Sequence, residues 1–405
     1  MLLARNRNFR LLFSATPVSN LGDGVSALAV PWLATLLTRD PLLIALVPFA
    51  GSLPWMLFAI PAGAVVDRSD RRALMVRADV LRVLLTMGIV ALALRMPEGG
   101  GALPVMALAG LAFLLGTAEV VRDNAAQTFL PAVVPEKDLE AANGQLWSAE
   151  QVAGHFVGPP LAGLLIAWAV PAPFLLDAVT FALAAWLVWA ISVPRRQAPA
   201  RRRMREELAE GWRWLRCESL LFRLAVMLGL INFLNMMWLT VLVLYSQEIL
   251  VLSAAGHGVL LAVGAGGAVL GGMLGPRLAA RLGATGTVWL ALWLMPLPFV
   301  MLGLGASPLL AGAALFMEAV AAMLWNIVTV SWRQRMIPDA LLGRVNALYR
   351  FFGWGMMPLG ALAGGALVSV AEPGLGREFA LRLPYLAGGA AMLGLAVYGA
   401  RRLRF

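Results

Sequence analysis

The chain has 405 residues, of which 60% are hydrophobic and 13% charged, with a mean hydropathy of +0.80. A soluble domain of this size has no use for so much apolar surface, so the solvent of this chain is lipid. A span takes roughly 20 apolar residues, so about 12 helices would use roughly 240, leaving short loops and one longer connector but no soluble catalytic domain. The net charge of +10 is carried almost wholly by arginine, with Lys137 the single lysine. Those arginines cluster in alternate loops, which fits an oriented membrane protein and not a nucleic-acid surface. Cys217 stands alone, so there is no internal disulfide, and two histidines without a Cys/His cluster argue against a structural metal site.

Apolar runs fall at 10–37, 42–65, 73–95, 102–128, 141–169 and 174–193, and resume at 221–250, 257–281, 285–304, 308–332, 344–370 and 383–400. Proline, glycine and charge mark the breaks between them, as at Arg39-Asp40-Pro41 and Pro338-Asp339. The first run follows a basic start and contains Asn20 and Asp23, which reads as a retained helix and not a cleaved signal peptide. If the basic loops are cytoplasmic, Arg68, Arg71, Arg72, Arg277, Arg333 and the tail arginines lie inside. Only Arg39, Arg95, Arg377 and Arg382 lie outside, each near an acid. Both termini are then cytoplasmic and the helix count is even.

Residues 1–193 therefore form a first six-helix bundle, 194–220 a cytoplasmic connector and 221–405 a second bundle. Met204, Leu208, Trp212 and Leu215 recur at helical spacing beside the connector arginines, which predicts an amphipathic helix on the inner membrane surface, bound to anionic lipid. The halves repeat weakly. Phe9-Arg10-Leu11 returns as Phe222-Arg223-Leu224, and Pro135, Leu139 and Asn143 return as Pro338, Leu342 and Asn346. Two pseudo-symmetric halves place a binding site at midplane, an arrangement that suits a transporter.

Several spans carry charge. Asp23 is in the first; Glu119, Arg122 and Asp123 share a face of the fourth; Glu150 is in the fifth and Glu318 in the tenth. An ionisable group inside a membrane is costly, so such groups face a cavity, pair up or bind protons. Arg122 with Asp123 reads equally well as a structural pair. Glu150 and Glu318 have no base on their own helices, which suits loading and releasing a proton or contacting a cationic substrate. Asp79 with Arg82 reads as a local pair, and Asp177 and Glu248 as wetted rim residues. Asn232, Asn235 and Asn326, with Trp325, are candidates for a substrate cavity, although gluing helices together is the commoner use of a membrane asparagine. No nucleophile–base pair, phosphate cradle or metal-ligand spacing occurs, so no enzymatic activity is read.

Two motifs carry a resemblance. The segment Gly63-Ala-Val-Val-Asp67-Arg68-Ser-Asp70-Arg71-Arg72 lies between the second and third runs. It resembles the G-x-x-x-D-R-x-G-R-R/K loop of the major facilitator superfamily, with Asp70 in place of the second glycine. Gly154-His-Phe-Val-Gly158-Pro159-Pro160-Leu-Ala162-Gly163, in the fifth run, resembles the pattern of that superfamily's exporters that work as antiporters. The stretches from Arg122 to Asn143 and from Arg344 to Gly360 are similar to its drug, macrolide and enterobactin exporters.

The resemblance implies an all-α membrane protein with twelve transmembrane helices in two pseudo-symmetric six-helix bundles, the major facilitator fold, in a bacterial cytoplasmic membrane. It implies export of amphipathic small molecules by alternating access, as a monomer without cofactor, in exchange for protons. In the family the Asp67 loop helps lock the two halves together, and Arg122 matches an arginine of helix 4. An importer or uniporter of a polar metabolite shares the fold and remains an alternative; a lipid-handling transporter is a more distant one.

Overall fold

The computed structural model describes residues 2–95, 101–193 and 204–403, without the side chains of residues 2, 4, 60, 64, 67, 204–208, 339, 340, 342 and 343. The expectations placed on the Asp67 carboxylate, on Met204 and Leu208, and on the arginines at 195, 196 and 201–203 therefore lie outside the described set. Among the described residues all regular structure is helical, as it must be where lipid offers the backbone no hydrogen-bond partner. In order, the helices of the first half are α1 (Leu2–Arg5), α2 (Arg7–Leu37), α3 (Pro41–Asp67), α4 (Arg71–Leu94), α5 (Ala102–Val133), α6 (Leu139–Glu150), α7 (Gly158–Trp168) and α8 (Ala172–Trp189). They are followed by α9 (Met204–Cys217), α10 (Ser219–Glu248), α11 (Ala254–Leu294), α12 (Pro296–Leu304), α13 (Pro308–Met336), α14 (Asp339–Leu375) and α15 (Arg377–Arg402).

Local chemistry sets the breaks. Asp40 Oδ1 accepts the N–H of Leu42 at 2.8 Å, and Pro41 opens α3 where its missing N–H costs nothing. Asp70 caps α4 by accepting the N–H of Ala73 at 3.1 Å, with φ −69°. The substitution of the family glycine thus does not need a left-handed turn; it supplies a helix cap. Between α6 and α7 the ladder widens to a π turn, Gln151–Val157, in which the Gly158 N–H donates to Ala153 O. Pro159 and Pro160 have no N–H to give, so the kink expected at Gly158-Pro159 is realised as this π turn. The eighth and ninth apolar runs meet at Gly283, whose φ of +73° breaks α11.

Eight helical stretches among the described residues are long and apolar enough to cross a membrane, and one of them, Ala254–Leu304, is 51 residues long and holds two apolar runs. The long helices that fall short, α2 and α4, carry Asp23 and the Asp79–Arg82 pair, while the π turn divides α6 from α7.

The chain forms two compact units: Met1–Arg39 with Leu46–Ala200 and Ser253–Val259, and Asp40–Ala45 with Arg201–Leu252 and Leu260–Phe405. In unit 1, α2 packs against α8 and α7, and α4 against α5 and α8. A cluster of Phe9, Leu12, Met75, Phe129 and Val188 fills one end. In unit 2, α10 packs against α14 and α15 around the rings of Trp238, Tyr245, Phe299 and Tyr385.

Both units use glycine for backbone-to-backbone crossings. A Cβ on Gly24 would stand 2.0 Å from Gly154 O, and one on Gly158 would stand 2.7 Å from the Gly24 carbonyl carbon. In unit 2, a Cβ on Gly360 or Gly364 would stand 2.1 Å from the carbonyl oxygen of Phe233 or Met237. The antiporter-type motif therefore makes a helix crossing: Gly154 and Gly158 admit α2, while Gly163 admits the start of α11, where a Cβ would lie 2.4 Å from Ala254 O.

The described apolar residues of the connector helix, Trp212 and Leu215, pack within unit 2. Trp212 stacks on Phe352 with ring centroids 6.1 Å apart and meets Phe222 edge-on, Leu215 is fully buried, and Glu210 pairs with Arg344 at 2.6 Å. The ring of Trp212 thus finds partners on α10 and α14.

Gly158→Leu should cost about 1–3 kcal/mol through overpacking at the crossing, seen as a lower melting temperature of the purified protein in detergent. Gly272→Ala, where a Cβ meets nothing within 4 Å, should leave it unchanged or raise it.

Candidate functional site

Unit 1 encloses a charged seam. On α2, Ser19, Gly22, Asp23 and Ser26 recur at helical spacing and so form one polar stripe. Facing it are Asp79, Arg82 and Thr86 of α4, and Asp177 and Thr180 of α8, all buried. Arg82 is the hub. One Nη pairs with Asp23; the other donates to Ser19 Oγ at 3.1 Å and to Asp79 Oδ1 at 3.4 Å; the guanidinium plane lies 3.7 Å from the centre of the Phe181 ring. Arg122 extends the chain of charges, with Nε 3.6 Å from Asp79 Oδ1 and Nη1 3.4 Å from Asp123 Oδ1.

Such a network is the condition for keeping a guanidinium in a low-dielectric interior, because an unpaired buried charge is far costlier than a paired one. The ring beneath Arg82 adds a cation–π contact. The seam is nevertheless rich in acid. Glu119 and Glu150 also lie within electrostatic reach of Arg122 and Asp23. Neither makes a hydrogen bond or ion pair among the described residues. Asp177 hydrogen-bonds to the Ser26 hydroxyl and is 1% exposed. Six carboxyls thus share two guanidinium groups.

Unit 2 holds a different arrangement. Glu318 of α13 accepts a hydrogen bond from Asn235 Nδ2 at 3.0 Å, and Asn235 Oδ1 accepts from Trp238 Nε1 at 3.3 Å. No base pairs with Glu318 among the described residues. Its partner is neutral, so it can gain or lose a proton without breaking a salt bridge.

The structure sorts the remaining candidates. Asn232 Nδ2 donates to Gly353 O at 2.9 Å and ties α10 to α14. Trp325 is buried in the packing of α13 and is not a free cavity wall, whereas Asn326 is exposed. In the signature loop, Gly63 lies inside α3, Arg68 is exposed, and Arg72 Nη1 donates to Ile191 O at 2.5 Å, closing the end of α8. Arg71 is half-buried. His155 is exposed on the π turn. Asp177 is not a wetted rim residue, because α2 and α8 close over it at Gly22. Glu248 is tied by both oxygens to Arg377, at 2.9 Å each, and Arg377 also holds Glu372 at 2.8 Å. Asp79 and Arg82 are the centre of the seam and not an isolated pair. Ser19, Ser26 and Asp177 were not read as site residues, although the spacing of Ser19, Gly22, Asp23 and Ser26 is the signal that joins them.

A family model described as transmembrane secretion effector matches residues 3–398. The chain belongs to that family, within the major facilitator superfamily. The multidrug efflux pump Tap of Mycolicibacterium fortuitum is 32% identical over 159 residues, 39% of this chain and 38% of that protein. Macrolide efflux protein A of Streptococcus pyogenes is 23% identical over 188 residues, 46% of this chain and 45% of that protein. The chain thus spans less than half the length of these curated relatives. Among solved structures, a bacterial homologue of the iron transporter ferroportin in an inward-facing state superposes with a TM-score of 0.75 at 18% identity, covering 98% of this chain and 99% of that one. The nucleoside transporter NupG superposes with a TM-score of 0.72 at 11% identity, covering 98% and 100%. At these identities the likeness is one of fold.

Arg82→Gln strands Asp23, leaves Asp79 to Arg122 alone and should destabilise the secretion effector by about 3–5 kcal/mol. Adding Asp79→Asn should restore part of the loss, read by thermal melting as a non-additive double-mutant cycle. Additive effects would show that the two side chains do not interact.

Proposed function

We propose that this secretion effector is a proton-coupled exporter of amphipathic small molecules, working by alternating access in a bacterial cytoplasmic membrane. The observation that carries this reading is Glu318, a half-buried carboxyl held by a neutral asparagine, in a chain whose other unit gathers six carboxyls around two arginines. Membrane carboxyls without a fixed counter-ion are suited to exchange protons. The relatives' descriptions as multidrug and macrolide efflux proteins point to lipophilic substrates.

In this reading the chain crosses the membrane twelve times with both termini inside. The spans are α2, α3, α4, α5, α6 with α7, α8, α10, the two parts of Ala254–Leu304 divided at Gly283, α13, α14 and α15. With the site open inward, substrate enters as Glu318 or Glu150 gives up a proton to the cytoplasm. The two bundles then rock, substrate leaves on the other side, and external protons reload the acids. The net exchange is substrate out for protons in, so binding of the two must be mutually unfavourable in at least one state. Asn235 positions Glu318 in both charge states, since it can donate to the carboxylate or accept from the acid. Protons are the only co-substrate required, and a monomer suffices.

The test is a proton-flux assay in proteoliposomes bearing an imposed pH gradient, with lipophilic cations, macrolides and siderophores as probes. Substrate should dissipate the gradient. Glu318→Gln should reduce gradient-driven transport by at least about tenfold while leaving downhill exchange within about twofold; Glu150→Gln tests the second acid in the same way. Substrate movement indifferent to the gradient would favour a uniporter, scrambling of labelled lipid without substrate a lipid-handling protein, and full coupling in both glutamine variants would remove these acids from the mechanism.

A further inference from the structure

The seam of unit 1 contains a donor and an acceptor that the ion pairs described above leave unused. Arg82 Nε is buried and finds no acceptor, and Asp177 Oδ1 is buried and finds no donor. Asp177 is 1% exposed and its other oxygen takes the Ser26 hydroxyl. It makes no ion pair among the described residues, although Arg82 and Asp23 both lie within its electrostatic reach. The carboxyl occupies space that only glycine leaves free: a Cβ on Gly22 would come within 2.2 Å of Asp177 Oδ1. One helical turn further along α8, Phe181 lies under the Arg82 guanidinium at 3.7 Å. Arg82 is thus seated over the helix that carries Asp177 while its ion pair is made with Asp23 on α2.

We propose that Asp177 is a proton-binding site and that Arg82 changes its ion-pair partner between Asp23 and Asp177 as the proton moves. In one state Asp177 holds the proton and Asp23, as carboxylate, pairs with Arg82. Transfer breaks the O–H bond of Asp177 and forms one on Asp23, leaving Asp177 as the carboxylate. Arg82 then gives up a neutralised partner and turns its Nε–H or Nη–H toward Asp177 Oδ1. Total charge is unchanged, so the buried guanidinium is never left without an anion, and the rearrangement avoids the cost of an isolated charge. The ring of Phe181 supports the cation in both positions.

The other groups facing the pair belong to the same seam. From α4 there is Asp79, which stays on Arg122 and Arg82; from α5 there are Glu119, Arg122 and Asp123; from α2, besides Asp23, there are the hydroxyls of Ser19 and Ser26. Glu119 sits within reach of both Asp23 and Arg82 and completes a route by which the proton reaches or leaves Asp23. The proposal deepens the exporter reading and rests on it: it places one coupling site in unit 1 beside α2, separate from Glu318.

The experiment compares gradient-driven and downhill transport of one lipophilic cation by the full chain in proteoliposomes. Asp177→Asn keeps an acceptor for Ser26 but cannot exchange a proton. It should lose at least about tenfold of gradient-driven transport and keep downhill equilibration within about twofold. Coupling equal to wild type overturns the assignment, as does a parallel loss of both modes, which would mark Asp177 as structural. A wild type without gradient-driven transport overturns the exporter reading and this site with it; a coupled wild type beside an equally coupled Asp177→Asn overturns this site alone. If the asparagine variant does not fold, Ser26→Ala serves, since it removes one hydroxyl. Loss of that hydrogen bond should displace the pH at half-maximal transport by about half a unit or more, and an unchanged pH profile overturns the proposal.

Discussion

A guanidinium buried among membrane helices dictates much of what surrounds it, and Arg82 shows how far that reach extends. Its charge requires carboxylates, supplied by Asp23 from α2 and Asp79 from its own helix, and its flat face is covered by Phe181 of α8. Three helices are thereby fixed in register by one side chain. Arg122 repeats the logic from α5 and shares Asp79. The cost of leaving either arginine unpaired is what holds this polar seam inside an otherwise apolar bundle.

Close approach of helices is the second constraint, and it serves the first. The carboxyl of Asp177 fits only because Gly22 has no side chain, and α2 reaches the π turn and α7 only because Gly24, Gly154 and Gly158 bring backbone against backbone. Unit 2 makes its corresponding crossing where Gly360 and Gly364 of α14 meet the backbone of α10 at Phe233 and Met237. Gly158 and Gly163 recur as Gly360 and Gly365 at one common offset, so the duplicated sequence is reflected in duplicated contacts. The chemistry placed on those frames has diverged. Unit 1 carries a network of paired charges between α2, α4 and α5, whereas between α10 and α13 of unit 2 a glutamate rests on an asparagine that also accepts from Trp238.

Much of this was legible in the residues. The apolar runs and their breaks anticipated the helices closely, down to the interruption near 281–285 that proves to be Gly283. Asp23, Glu119, Arg122 and Asp123 stand out in the sequence one by one because charge within an apolar run is rare enough to be conspicuous. Three features escaped for physical reasons. The role of Asp177 depends on Ser26 and Gly22, which lie about 150 positions away and signal nothing by themselves. The helix cap at Asp70 escaped because capping and left-handed turns favour the same residues. The amphipathic connector matched a lipid-surface helix because an aromatic face does not reveal whether lipid or another helix will cover it; Phe222 and Phe352 do so here.

By itself the sequence determined the helical class, the positions of most helices and the family, because hydropathy, charge and local motifs act over one or two turns of chain. Only the tertiary structure decided which acids have counter-ions. That Glu318 rests on Asn235 while Asp23 rests on Arg82, and that Asp177 lies enclosed and not at a rim, follows from which helix faces meet. An ion pair forms across space between residues whose separation along the chain is arbitrary, so no local pattern encodes it.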